Sequence, residues 1–347
     1  MPTRATPAAG DVLLNLSVDV SSLALMAWCQ AHDVLYLDTC IEPWAGGFLA
    51  PGLAPSARSN HALRAAALAL RRPGRSTAVL THGANPGLVS HFVKQALLNL
   101  AADAGTAQAP PTSREGWAML AERLAVRAIH IVERDTQRGT RRKAIGEFVN
   151  TWSCEAFADE ATQPAELGWG THERHFPRDG VRHPDRPDAP SIILERPGGA
   201  TRVRSWTPTG GAMHGFLITH AEAISIAAHL TLGDPAAPRY RPTVHYAYQP
   251  CDDAVLSLHE LAAREWRIQP RRWLLRDDIT DGIDELGVLL MGPVLRGTSG
   301  LRPPVFAIGP RRGPFGSVAA RRAHGAYWFG SQLSCAEARR LAPANSA

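Results

Sequence analysis

Ser76–Leu100, STAVLTHGANPGLVSHFVKQALLNL, decides the fold. It reads as a buried strand, the loop Thr81-His82-Gly83-Ala84-Asn85-Pro86-Gly87, and a helix with an apolar stripe. A polar, glycine-containing loop between a strand's C-terminal end and a helix N-terminus is where open α/β sheets hold ligands. Upstream, Asp11–Ser17 (DVLLNLS) reads as a strand and Val20–His32 as a helix with Leu23, Met26 and Ala27 inward. Val34–Thr39 (VLYLDT) reads as a strand covered on both faces, and Ser56–Arg72 as a helix. The order β-α-β-α-β-α predicts a parallel sheet with right-handed crossovers.

Three strands make half of a doubly wound domain. No GxGxxG is present. The nearest match, Gly168-Trp169-Gly170, reads as neither preceded by a strand nor followed by a helix, so the phosphate loop of a dinucleotide site is expected to be absent from this chain. Residues 104–115 read as a linker. Beyond it, residues 126–135 and 144–157 show strand-like alternation. Residues 191–198 and 201–208 suggest a hairpin around Gly198-Gly199, residues 216–232 a strand entering a helix, and residues 255–266 a helix. The class is therefore α/β: a partial Rossmann-like, doubly wound parallel sheet plus an α+β substrate and dimerisation domain. The expected boundaries are 1–105, the second half of a dinucleotide-binding domain; 106–117, a linker; 118–291, the α+β domain; 292–323, a disordered Gly/Pro/Arg-rich insertion; and 324–347, a truncated C-terminal segment.

Composition narrows the function class. The 347 residues are 45% hydrophobic and 20% charged, as in an ordinary globular enzyme. No run approaches the roughly 18 apolar residues of a membrane span, and the N-terminus lacks a secretory apolar region, so a cytoplasmic location and no membrane contact are expected. Five scattered cysteines without metal spacing imply reduced thiols. His172, His175 and His183 are the tightest histidine grouping but lack partners of zinc-ligand type, so no metal is expected. The net charge of +5 comes mostly from arginines in short loops, without interleaved aromatics, which argues against nucleic acid.

Several segments together resemble bacterial homospermidine synthase, in the saccharopine dehydrogenase-like group. They are LNLSVDVSS (14–22), YLDTCIEPW (36–44), THGANPGLVSHFVKQAL (81–97), PTSREGWAMLAERLAVRAIHIVERDTQ (111–137), EFVNTWS (147–153), QPAELGWGTHE (163–173), TRVRSWTPT (201–209), THAEAISIA (219–227), HYAYQPCDDAVLSLHEL (245–261), DGIDELGVLL (281–290) and AYWFGSQLS (326–334). The resemblance covers most of residues 11–291 and resumes at 324–343. It implies an internal piece of such an enzyme, starting after the glycine-rich loop and stopping before the family's end, with the 292–323 stretch inserted.

The resemblance implies NAD as a recycled hydride carrier, putrescine and related polyamines as substrates, and a homodimer. A dication needs carboxylates or aromatic faces in place of its lost water. Trp152 is the candidate cation–π platform, or else a core tryptophan. Glu133 matches an acidic substrate position, with a surface ion pair to Arg134 or Arg138 as the alternative. Glu42, past a strand's C-terminal end, is in site territory by the open-sheet rule, or is a turn residue held by Pro43. Glu160 and Asp284 match further acidic positions, although Asp284 also sits in an acid-rich run that would suit a solvated face. His220 is a candidate proton carrier or a helix-start residue. Asn85 serves nicotinamide or substrate, or caps the helix before Pro86. Asn15, Ser17, Asp38, Thr39, Ala84 and Pro86 would face the cofactor, or be ordinary strand-to-helix turn residues. Two other readings stay open: a non-catalytic remnant that binds a diamine or a partner, and a saccharopine-type dehydrogenase acting on another amino substrate.

Overall fold

The computed structural model describes residues 6–47, 52–275, 278–293, 317–323 and 326–334. A three-stranded parallel sheet is built from β1 (Val12–Asn15), β2 (Leu35–Asp38) and β3 (Ala78–Val79), in that order. Helices α1 (Ser22–Ala31) and α2 (Asn60–Ala69) form its crossovers. Each helix starts where a serine can cap it: Ser21 Oγ accepts from Ala24 N at 3.2 Å and Ser59 Oγ from Ala62 N at 3.1 Å. α1 buries Met26 and Cys29 and leaves Ala27 exposed, so its inner face is rotated from the expected one. The residues at i and i+3 follow the helical period, whereas Ala27 lies off that stripe. Val12, Leu14, Leu35 and Val79 are exposed, so this sheet is covered on one face and not on both.

Helix α3 (Leu88–Asp103) follows the opening loop and buries Val89, Phe92, Val93, Ala96, Leu97 and Leu100, a 3.6-period stripe. That stripe packs into the large core with α4 (Arg114–Arg123) and the strands beyond it. The small sheet has its own core around Met26, Val34, Tyr36 and Ala67. The chain therefore leaves the small core at the 81–87 loop and not near residue 105: α3's apolar face finds its complement in the larger body.

The larger body contains β4 (Ala128–Asp135), β5 (Arg138–Gly139), β6 (Glu147–Asn150), α5 (Cys154–Thr162), β7 (Pro164–Gly168), β8 (Gly180–Arg182), β9 (Ser191–Pro197), β10 (Arg202–Thr207) and β11 (Gly211–Phe216). It continues with α6 (Ala221–His229), β12 (Leu232–Asp234), β13 (Ala237–Tyr240), β14 (Thr243–Gln249), α7 (Asp252–Ala263), β15 (Arg271–Leu274), β16 (Ile279–Asp281), β17 (Ile283–Met291), β18 (Ser317–Ala323) and β19 (Ala326–Ser334). Its main sheet is mixed, ordered β18-β19-β17-β4-β14-β7-β9-β8, with β11 attached to β14 and β10 to β11. The centre is the parallel pair β4 and β14, with Tyr246 opposite Ile131 and Tyr248 opposite Glu133.

Three expectations are corrected. β9 and β10 are not a hairpin: β9 pairs with β7 and β8, and β10 pairs with β11. Gly198 and Gly199 are packed too closely for a side chain, against the Leu217 carbonyl and Ala161, so they redirect the chain through a short 3-10 turn. Gly168 does end a strand, β7, although no helix follows it. Within the expected insertion, Ser317–Ala323 pairs with Ala326–Ser334, giving that strand a partner on its free edge. Residues 294–316, 324–325 and 335–347, the rest of the expected insertion and C-terminal segment, lie outside the described residues.

Among the described residues no helix is long and apolar enough to cross a membrane.

Candidate functional site

A cleft of about 450 Å³ opens where the C-terminal ends of β2 and β3 meet the C-terminal ends of β4 and β14. The small sheet contributes Thr39 and Glu42 from the end of β2, and Gly83, Ala84, Asn85 and Pro86 from the loop before α3. The larger body contributes Glu133 from β4, Trp152 from the turn into α5, Asp159 and Glu160 from α5, His220 from the turn into α6, and Tyr246 and Tyr248 from β14. Alternation along β14 turns both tyrosines to the cleft and sends His245 to the other face, against His130.

The 81–87 loop is held by backbone constraints. Thr81 N donates to Asp38 Oδ1 at 2.6 Å and His82 N to the Asp38 carbonyl at 2.9 Å. The Asn85-Pro86 peptide bond is cis. A Cβ on Gly83 would sit 3.2 Å from both Thr39 Cβ and the Pro86 carbonyl, so the loop backbone lies directly on the end of β2.

Polar contacts converge on Glu133. Tyr246 donates to its Oε2 at 2.5 Å, and Asn85 Nδ2 donates to the same oxygen and to Tyr246 Oη at 3.0 Å. Burial pushes the Glu133 carboxyl up to about 7, with the Tyr246 bond and His220 opposing the shift. Burial likewise raises Glu42 to about 7 and Glu160 to about 8, and neighbouring carboxylates add to both. Asp159 rises to about 6 for the same reason.

His220 is the counter-charge. Its Nδ1 lies 2.9 Å from Glu222 Oε2 and its Nε2 4.0 Å from Glu160. Burial disfavours its charge, but Glu222, Glu160 and Glu133 outweigh that and raise it to about 9. Among the described residues the wall thus carries several half-buried carboxylates, one imidazolium and no Lys or Arg. Such a site is short of positive charge, which is the condition for taking up a cation.

An aromatic wall completes it. Trp152 Nε1 donates to Tyr248 Oη at 3.1 Å, and the Trp152 ring packs on Phe157 with centroids 5.3 Å apart. Tyr246 stacks 5.7 Å from Tyr248 and lies 4.2 Å from the His220 ring.

The structure thus brings Glu42, Thr39, Ala84, Asn85, Pro86, Glu133, Trp152, Glu160 and His220 onto one wall. It leaves Asn15, Ser17, Asp38 and Asp284 off it. Asn15 Nδ2 donates to Tyr36 Oη at 3.0 Å, and Tyr36 Oη donates to Asp38 Oδ2 at 2.9 Å. Ser17 Oγ donates to Asn15 Oδ1 at 2.5 Å. These polar groups are engaged in fastening the strand ends and the 81–87 loop. Asp284 stands opposite Asp135 across β17 and β4, its carboxyl raised by burial and by Glu133, Asp135 and Glu285. The sequence reading misses Tyr246, Tyr248 and Asp159, which line the cleft, and Glu222, which bonds His220 behind it. The period-2 spacing of Tyr246 and Tyr248, and the i+2 spacing of His220 and Glu222, are the signals that could have found them.

The grouping His172, His175, His183 does not assemble. His183 lies 3.2 Å from Glu166 and packs on His61, whereas His172 lies 3.3 Å from Glu173. Among the described residues no group of three His, Cys, Asp or Glu is placed to hold a metal ion.

Comparison with known proteins gives two family matches: the saccharopine dehydrogenase NADP binding domain over residues 3–79 and the saccharopine dehydrogenase C-terminal domain over residues 83–300. The break between them falls at the 81–87 loop, where the core changes. The chain is 52% identical over 339 residues to homospermidine synthase of Blastochloris viridis, covering 96% of this chain and 64% of that protein. It is 46% identical over 340 residues to homospermidine synthase of Mesorhizobium japonicum, with the same coverage. The crystal structure of homospermidine synthase from Legionella pneumophila in complex with NAD superposes with a TM-score of 0.81 at 45% identity, covering 98% of this chain and 65% of that one. The chain therefore spans about two thirds of the length of the relatives it matches.

Proposed function

From the premise that the chain belongs to the saccharopine dehydrogenase family, we propose that it carries the amine-binding and proton-transfer side of a homospermidine synthase. The net reaction joins two putrescines through one new secondary amine: one C–N bond forms, one breaks, and one ammonia leaves. The observation that carries the reading is the charge deficit of the cleft. Glu42, Glu133, Asp159 and Glu160 surround one imidazolium, beside the Trp152 and Tyr248 rings. A diammonium supplies the missing positive charge at both of its ends, and its tetramethylene stem suits the aromatic wall.

The residues at the ends of β2 and β3 fit a nicotinamide. Thr39, whose hydroxyl makes no hydrogen bond within the described residues, shares the wall with Ala84, Asn85 and Pro86, and the loop backbone is fixed against it. When bound, NAD supplies the acceptor and return donor of one hydride. Asn85 and Tyr246 hold the Glu133 carboxylate in place. Glu133 and Glu160, titrating near neutrality, take the proton that an ammonium must lose before its nitrogen can attack. His220, held protonated by Glu222, donates to the departing ammonia, whose conjugate acid it matches in acidity.

A saccharopine-type reaction on a carboxylated amine is less well supported, because such a substrate calls for an Arg or Lys and the cleft wall has none among the described residues. The test is incubation of the purified chain with putrescine and NAD, read by mass spectrometry. Homospermidine is the expected product. Putrescine bound without turnover would favour the binding-only reading, and product from carboxylated amines alone would favour the dehydrogenase.

A further inference from the structure

Helix α2 separates the amine cleft from a second cavity of about 580 Å³ and opposite sign. Asn60, at the start of α2, lines the cleft, while His61, Arg64 and Leu68 line the second cavity. Arg64 is joined there by Arg114 at the start of α4, Arg186 from the loop before β9, and Arg241 from the segment leading into β14. Among the described residues Asp188 is the one carboxylate on this wall.

The internal partners of these groups leave donors unused. Arg114 is tied down: its Nη1 donates to the Thr231 carbonyl at 2.6 Å and the His229 carbonyl at 3.3 Å. Arg241 is 7% exposed, and its Nε donates to the Trp169 carbonyl at 2.8 Å. Its Nη1 is buried without a partner. Arg64 makes no hydrogen bond or ion pair within the described residues. His61 is 6% exposed, and neither ring nitrogen has a partner. The nearby buried carboxylate, Glu166, is already engaged by the Ser191 hydroxyl at 2.9 Å, the His61 backbone N–H at 3.3 Å and His183 Nε2 at 3.2 Å. An unpartnered buried guanidinium N–H costs its full desolvation penalty unless something accepts from it.

We propose that this cavity is a binding site for a phosphate-bearing small molecule, held by the forks of Arg64, Arg186 and Arg241 and by the ring of His61. Four guanidiniums against one carboxylate call for a multiply charged anion. Guanidinium forks match phosphate oxygens in pairs, which a single carboxylate group satisfies only once. Burial and His183 hold the His61 ring neutral, its pKa lowered to about 4, so it offers one N–H donor and one acceptor, as a phosphate ester with an adjoining hydroxyl requires. The volume is in the range of small-molecule sites and exceeds what inorganic phosphate alone would fill. The site is independent of the amine cleft and of the reaction assigned there.

The test is calorimetric titration of the whole chain with inorganic pyrophosphate, with citrate as the polycarboxylate control. One molecule of pyrophosphate per chain is expected, bound more tightly than citrate. Arg64→Gln is expected to weaken that binding about ten-fold or more. Arg186→Gln, on an exposed loop, repeats the measurement should Arg64→Gln fail to fold. Pyrophosphate should also raise the melting temperature of the unaltered chain and leave that of the variant unmoved. No binding at millimolar pyrophosphate would overturn the proposal. So would equal affinity for citrate, or binding that neither variant weakens, which would place the pyrophosphate outside this cavity.

Discussion

Trp152 illustrates how one residue changes meaning between sequence and structure. As a letter in EFVNTWS it is as good a core residue as a ligand platform. In the fold its indole N–H is committed to Tyr248 and one side of the ring packs on Phe157, while the residue still lines the cleft beside Glu160 and Tyr248. A cation–π contact in a largely desolvated site is worth up to about 2 kcal/mol. Trp152→Ala should therefore raise the putrescine KM, or its Kd by calorimetry, about ten- to thirty-fold. Trp152→Phe should recover part of that loss, since Phe keeps a π face but not the bond to Tyr248. Equal affinities for the three proteins, each with an unchanged circular dichroism spectrum, would remove the tryptophan from the amine site. The acidic residues are harder to read. Glu133 carries no local mark that separates it from a surface glutamate beside Arg134. Only the pairing of β4 with β14 brings it under Tyr246, and strand pairing is not written in a local window.

At the scale of elements, local periodicity is the dependable signal. The stripe of α3 and the strand-loop-helix order around residue 81 are legible because both depend on neighbours in sequence. The failures are long-range. A glycine pair between two strand-like runs reads as a hairpin, yet β9 finds β7 and β10 finds β11, because Gly198 and Gly199 are pressed on Leu217 and Ala161 from elsewhere in the chain. The first core ends earlier than the sequence suggests for the same reason: nothing within α3 says which core its stripe enters. The loop that joins the two cores is tightly constrained. Gly87 has φ +124°, and a Cβ there would lie 2.5 Å from the Gly83 carbonyl oxygen and 2.6 Å from Gly83 N. Both are backbone atoms that cannot swing aside. Gly87→Ala should therefore cost about 2–3 kcal/mol, from a strained backbone plus a forced shift of the loop. Gly74→Ala, at φ +75° with nothing within 4 Å, isolates the conformational part and should cost about 1 kcal/mol. Thermal melts of both variants decide the matter; a Gly87→Ala protein as stable as Gly74→Ala would mean that the loop is free to move.

For the whole molecule, a net charge of +5 conceals two cavities of opposite sign, an acidic one in front of α2 and a basic one behind it. The acidic one makes stability depend on pH in a direction set by its shifts. Glu42 and Glu133 titrate near 7, Glu160 near 8 and Asp159 near 6 in the folded chain, each above its ordinary value because burial favours the neutral form. His220 is raised to about 9 by its carboxylate neighbours. For every one of these groups the folded state holds its proton to higher pH than the unfolded chain does. Their contribution is complete below the ordinary carboxylate range, or below about 6.5 for the imidazole, and is lost as pH rises through the folded values. Glu147 runs the other way: its bonds to Arg141 lower it to about 2, so its contribution is present above the ordinary value and lost as pH falls through 2. His61 and His245, lowered to about 4 by burial, oppose this below about 6.5, where the unfolded chain takes up protons that the folded one does not. The free protein should therefore melt at progressively lower temperature as pH rises from about 6.5 toward about 9. A diammonium reverses the slope. It favours the ionised carboxylates, so putrescine should raise the melting temperature more at about pH 8.5 than at about pH 5.5, and its binding near neutrality should release protons. Calorimetry in two amine-free buffers of different ionisation enthalpy counts those protons directly. A melting temperature that is flat or rising between about pH 6.5 and 8.5 without amine, together with binding that releases no proton, would mean that the cleft carboxylates are already neutralised and that the cation deficit is not what the site uses to select its substrate.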